Sequence, residues 1–86
     1  MLKVSAYVLI KTLPGKEREV IAHLDEHLKT NHKEIVFGGY DIVVRMSADS
    51  TEEIQKIVIE KIKSFRDVMA VLVLTCVNVP EKHKVH

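Results

Sequence analysis

The sequence predicts an α+β domain with elements in the order β-α-β-β-α-β, and three observations predict it. Two segments carry apolar residues at helical spacing, Val20, Ile21, Leu24 and Leu28 in the first and Ile54, Ile57, Val58, Ile62 and Phe65 in the second. Each is flanked by runs rich in Val, Ile, Leu and Tyr, the composition of strands. Between the two central runs stands Gly38-Gly39, and a glycine pair between strand formers is a strong hairpin signal, because primed two-residue turns need backbone angles that glycine adopts without strain.

The elements follow in order. Lys3 to Leu13 reads as the first strand, ended by Pro14-Gly15. Pro14 suits the first turn of a helix, where a missing N–H costs nothing, and Glu17 and Glu19 suit its positive end. This helix is expected to stop between Lys29 and His32, with Asn31 as a residue tolerant of left-handed geometry. Glu34 to Phe37 forms the second strand and Tyr40 to Met46 the third. Ser50-Thr51-Glu52-Glu53 is a capping box that starts the second helix. Val68 to Val79 is the fourth and longest strand, closed by Pro80, and the tail after it is polar. Two strand-helix-strand units with right-handed crossovers give a ferredoxin-like sandwich: a four-stranded antiparallel sheet with both helices on one face.

Composition bounds the function. At 86 residues the chain makes one domain, 1–86, small enough that its buried fraction, and so its margin of stability, is limited unless something such as oligomerisation adds to its core. Apolar residues form 47% of it, which excludes disorder, and 13 basic against 12 acidic residues give a net charge of +1, no footprint for nucleic acid or anionic lipid. A lone cysteine, Cys76, and no apolar run long enough to span a bilayer give the expectation of a cytoplasmic protein.

One sheet face is the informative problem. An antiparallel sheet wet on one side should alternate apolar and polar residues, and these strands do not. With Val4, Ala6, Val8 and Ile10 of the first strand and Val68, Ala70, Leu72, Leu74 and Cys76 of the fourth placed under the helices, Tyr7, Leu9, Val43, Met69, Val71, Val73 and Val77 face water in a monomer. Leaving them wet forgoes on the order of 10 kcal/mol of burial. The expectation is a twofold, sheet-to-sheet homodimer through those residues.

With the elements placed, Ala6-Tyr7-Val8-Leu9-Ile10, Pro14-Gly15, Gly38-Gly39-Tyr40-Asp41-Ile42-Val43-Val44 and the Val68…Val71…Leu74-Thr75 strand resemble the effector-binding (RAM) domain of Lrp/AsnC regulators, over about Ala6 to Val79. The resemblance implies a ferredoxin-like subunit, a dimeric α/β-barrel type of association, assembly of dimers into octamers or other rings, and a free amino acid bound between dimers. Members usually carry an N-terminal helix-turn-helix domain. Here the first strand begins at about Lys3, so the chain resembles the stand-alone members, direct nucleic-acid binding is not expected, and full-length relatives are candidate partners. Carried over, the ligand-binding residues are Gly38, Gly39, Tyr40 and Asp41. Their chemistry suits a zwitterion: backbone N–H groups at the glycines for the carboxylate, the Asp41 carboxylate or loop carbonyls for the ammonium, and Tyr40 as a wall. The plain alternative makes the glycines a turn and leaves Asp41 bonding turn amides.

Other patterns are weaker. His23-Leu24-Asp25-Glu26-His27 matches the H-x-x-E-H pattern of inverted zinc peptidases, but such an enzyme needs a third ligand and far more chain, so histidines at the edge of the apolar stripe are the better account and no metal is assigned. Cys76 reads as a small buried hydrophobe without a His or Asp partner. The charges of the second helix alternate in sign, as on a solvated face. The leading expectation is a non-enzymatic amino-acid-sensing regulatory module without cofactor or membrane. The alternative is a small dimeric α/β-barrel enzyme, monooxygenase- or isomerase-like, which the fold alone does not separate from it.

Overall fold

The computed structural model describes residues 3–77. Strand β1 (Val4–Thr12) is followed by helix α1 (Glu17–His27), strands β2 (His32–Ile35) and β3 (Ile42–Ala48), helix α2 (Thr51–Ile57), which runs on without a break as a π-helical segment (Val58–Lys63), and strand β4 (Val68–Thr75). The strands pair antiparallel in the order β2-β3-β1-β4, so the two central strands are β1 and β3 and the fold is the ferredoxin-like sandwich expected. Among the described residues no helix is long and apolar enough to cross a membrane.

The core lies between the sheet and the helices. Ala6, Val8 and Ile10 of β1 alternate inward with Ile42, Val44 and Met46 of β3, and Val20, Leu24, Ile54, Val58 and Ile62 close over them from the helices. Ser50 caps α2 by accepting a hydrogen bond from the Glu53 N–H at 3.1 Å, and the Glu53 carboxylate reaches back to the Asp49 N–H at 2.9 Å. This is the reciprocal arrangement expected, shifted by one residue at its return bond.

Several expected boundaries move, each for a physical reason. Pro14 lies ahead of α1 rather than within it. Pro14-Gly15 form the centre of a type II turn, with Gly15 at φ +78° and the Lys16 N–H donating to the Leu13 carbonyl at 3.0 Å, and the helix starts at Glu17. At its other end α1 stops at His27 because Leu28 is already extended, and Asn31, far from left-handed, donates its N–H to the Arg45 carbonyl at 2.8 Å as the lead-in to β2. Cys76 is exposed rather than buried: its N–H still donates to the Ser5 carbonyl at 2.9 Å, and by alternation it follows Leu72 and Leu74 on the open side of the sheet. The expected continuation of that strand beyond Val77 lies outside the described residues.

The largest correction concerns β4. Its register with β1 sets Val73 opposite Val8 and Val71 opposite Ile10, so Val71 and Val73 share the helix-facing side and pack against the core. Leu72 and Leu74, opposite Leu9 and Tyr7, are the residues that face the open side. Met69 sits where the β1–β4 register shifts, between the Lys11–Ala70 and Thr12–Val68 pairs, and Val77 is exposed past the strand end. The uncovered face is therefore Tyr7, Leu9, Val43, Leu72 and Leu74.

Candidate ligand site

The four residues singled out from the sequence lie at the loop end of the β2–β3 hairpin. The register runs Glu34–Val43, Ile35–Ile42, and one further rung forms where the Val36 N–H donates to the Asp41 carbonyl at 2.8 Å. Phe37, Gly38, Gly39 and Tyr40 make the connection, and Gly38-Gly39 sits at its apex as the sequence predicts. The tight two-residue turn itself does not form. A type I′ turn needs positive φ at both central residues, and here Gly38 has φ +128° while Gly39 does not take a positive angle. Instead of the compact last rung between Phe37 and Tyr40, Phe37 stands out in solvent, fully exposed, and Tyr40 is half-buried.

Asp41 is the organising side chain. Continuing the β1–β3 register beyond Ile10–Ile42 would set residue 40 opposite Thr12. The chain turns away before that rung, and the Asp41 carboxylate takes the main-chain acceptor's place: Oδ2 accepts from the Thr12 N–H at 2.9 Å and from the Thr12 hydroxyl at 3.4 Å. The Asp41 N–H meanwhile donates to the Ile10 carbonyl at 2.9 Å. Thr12 is buried, so this carboxylate satisfies a donor that water does not reach. The Lys11 ammonium lies 3.8 Å from the same Oδ2. All three contacts use Oδ2, and Oδ1 has no partner among the described residues.

Lys11 is the residue that sequence reasoning passed over. It is the last outward-facing residue of β1 before the register shift, and its side chain is 39% exposed beside an Asp41 side chain that is 23% exposed. A partly exposed ammonium and a carboxylate with one free oxygen, side by side at a strand end, present both signs of charge to a single small solute. Open space surrounds the Cα of Gly38 and of Gly39, so their backbone is approachable. Surface hollows lie along α2, at the opposite end of the sheet and beside His23 and Phe65, and these are not lined by Gly38, Gly39, Tyr40 or Asp41.

The histidine pattern on α1 is an interhelical contact. His23 Nε2 lies 2.7 Å from the Lys61 carbonyl at the end of the π-helical segment, and its ring stacks on Phe65 at 4.0 Å and 10°. His27 tilts against His23 at 4.6 Å. Among the described residues no group of three or more His, Cys, Asp or Glu side chains is arranged to hold a metal ion.

The open sheet face is the second feature of functional weight. Tyr7, Leu72 and Leu74 are 43%, 41% and 48% exposed, with Leu9 and Val43 half-buried between them. The Arg45 guanidinium lies 5.8 Å from the centroid of the Tyr7 ring, and at the β2 edge His32 and Glu34 pair at 3.1 Å. An apolar centre with a charged rim is the anatomy of an interface.

Comparison with known proteins is consistent with this architecture. No family model and no curated sequence matches the chain. Among solved structures it is similar to FFRP-DM1, with a TM-score of 0.79 and 27% identity, covering 86% of this chain and 99% of that one. It is similar to Escherichia coli AsnC, with a TM-score of 0.80 and 18% identity, over 95% of this chain and 56% of that one. It is also similar to the transcriptional regulator NMB0573 of Neisseria meningitidis, solved as a complex with L-Met, with a TM-score of 0.76 and 13% identity, over 87% of this chain and 50% of that one. Against the last two the likeness is one of fold, and the chain spans about half their length.

Proposed function

We propose that this chain, which has the fold of the Lrp/AsnC effector-binding (RAM) domain, is a non-enzymatic regulatory module that binds a free amino acid and works as a homo-oligomer. The observation that carries the reading is the Asp41–Lys11 pair at the loop end. A zwitterionic amino acid needs an acceptor for its ammonium and donors for its carboxylate. Asp41 Oδ1 supplies the first, and Lys11 Nζ with the backbone of Gly38 and Gly39 supplies the second. The L-Met complex of a fold neighbour supports a ligand of this class.

The open face supports the oligomer. Burying five large apolar side chains that one copy leaves about half wet is worth on the order of 5 kcal/mol, and a second copy presenting the same face through a twofold axis is the simplest cover. Association of that kind would also bring the surface of a second copy toward the binding groups at the loop ends. Association of the dimers into octamers or other rings, and pairing with full-length relatives, are extensions of the same reading.

A thermal-unfolding screen against the twenty amino acids, paired with sedimentation, tests it. An amino acid at about 100 times its dissociation constant stabilises the folded state by roughly 2.7 kcal/mol, a rise of about 10 °C or more for a domain of this size. The expected result is such a rise with one or a few amino acids and a particle larger than one chain. Absence of any rise with all twenty overturns the sensor.

A further inference from the structure

The end of the sheet remote from the Gly38-Gly39 loop carries a second grouping of donors. A hollow of about 550 Å³ opens where β1 begins, α1 ends and β3 finishes, lined by Lys3, Asp25, Leu28, Lys29, Thr30, Asn31, Lys33 and Ser47. That volume is within the range of small-molecule sites. Its lysines come from two stretches of chain, Lys3 just before β1 and Lys29 with Lys33 around the junction of α1 and β2, and the fold brings the two together. Two are already engaged: Lys3 pairs with Asp49 at 3.1 Å and Lys33 with Asp25. Lys29 makes no ion pair among the described residues.

Asn31 is the second part of the grouping. Its N–H is tied to the Arg45 carbonyl at 2.8 Å, and its side-chain oxygen accepts from the Ser47 hydroxyl at 3.3 Å. The carboxamide is oriented by that bond, and its NH₂ keeps two donors with no acceptor among the described residues. Thr30, half-buried between Lys29 and Asn31, adds a hydroxyl. The lining is rich in N–H and O–H donors and cations, while its one carboxylate, Asp25, is occupied by Lys33. Such a set suits a ligand that brings several acceptor oxygens and negative charge.

We infer that this hollow is a binding site for a small oxyanion, a phosphoryl or carboxylate group, separate from the Asp41 site and able to fill independently of it. Lys29 and Asn31 are the residues that would hold the anion, while Lys3 and Lys33 stay paired with Asp49 and Asp25. The reading does not rest on the amino-acid site and stands or falls without it.

The test is a two-dimensional amide NMR titration of the whole chain with inorganic phosphate and, separately, citrate, each against sodium chloride at matched ionic strength. The expected result is saturable shifts at Lys29, Thr30, Asn31, Lys33 and Ser47 with phosphate, citrate or both, and none at Gly38 to Asp41. Saturation by phosphate alone assigns a phosphoryl ligand, and by citrate alone a carboxylate. Lys29→Gln, an exposed position without an ion-pair partner, should lower the affinity at least tenfold while leaving the spectrum folded. Shifts that follow ionic strength equally in chloride, that fail to saturate, or that survive Lys29→Gln overturn the site.

Discussion

At Asp41 one carboxylate does two jobs that mutation can separate. Oδ2 closes the β1–β3 ladder by satisfying the buried Thr12 N–H, and the charge with the free Oδ1 is what a ligand ammonium would use. Asp41→Ala leaves the Thr12 donor without a partner and should cost about 1–3 kcal/mol in a urea titration. Asp41→Asn keeps an oxygen for Thr12 and removes the charge, so it should cost less than half as much. Both variants should lose the amino-acid response. If Asp41→Asn retains it, the carboxylate is a structural clasp and nothing more. Lys11→Gln, at a partly exposed position, should weaken the response with little change in stability, within about 0.5 kcal/mol. The sequence exposed Asp41 through its place after the glycine pair. Lys11 stayed hidden because its importance comes from a neighbour thirty residues away that only the sheet brings beside it.

At the scale of single elements, the loop of the hairpin has one strained position, not two. Gly38 holds φ +128°, an angle that L residues rarely adopt, whereas Gly39 holds an ordinary one, and neither is crowded. Gly38→Ala should therefore destabilise by about 1–3 kcal/mol, and Gly39→Ala should be close to neutral, read as denaturation midpoints under matched conditions. Equal costs would mean that the glycine pair turns symmetrically after all. Element order, the capping box at Ser50 and the inward alternation of β1 and β3 were legible because each carries a local signal of period or capping. The end of α1 was not, since Leu28 leaves the helix to feed β2 at Asn31, a tertiary demand. Nor was the orientation of β4: from Val68 to Leu74 both faces of the strand are apolar, so a period of two has no phase. The phase comes from cross-strand pairing, Leu72 with Leu9 and Val73 with Val8, and from the register shift at Met69, neither of which a single strand can announce.

For the whole molecule, that same phase makes the oligomer testable with neighbouring residues. Leu72 lies on the open face and is 41% exposed, while Val73 packs against the core beneath the helices. Leu72→Asp places a charge where a second copy would seat, and it should give a folded, cooperative monomer in sedimentation at micromolar concentration. Val73→Asp pushes a charge against the apolar interior, and it should destabilise each chain by several kcal/mol, a large share of the 5–15 kcal/mol that holds a domain together. The two variants differ by one position and should fail in different ways, the first losing its partner and the second its fold. A Leu72→Asp chain that keeps the size of the parent would mean that the partner seats elsewhere, and that the apolar face of β1, β3 and β4 is covered by something other than a second copy. The amino-acid response should fall with Leu72→Asp as well, if the proposed site is completed by a second copy. A monomer that still shows the full rise in unfolding temperature would place the whole site within one chain and uncouple sensing from association.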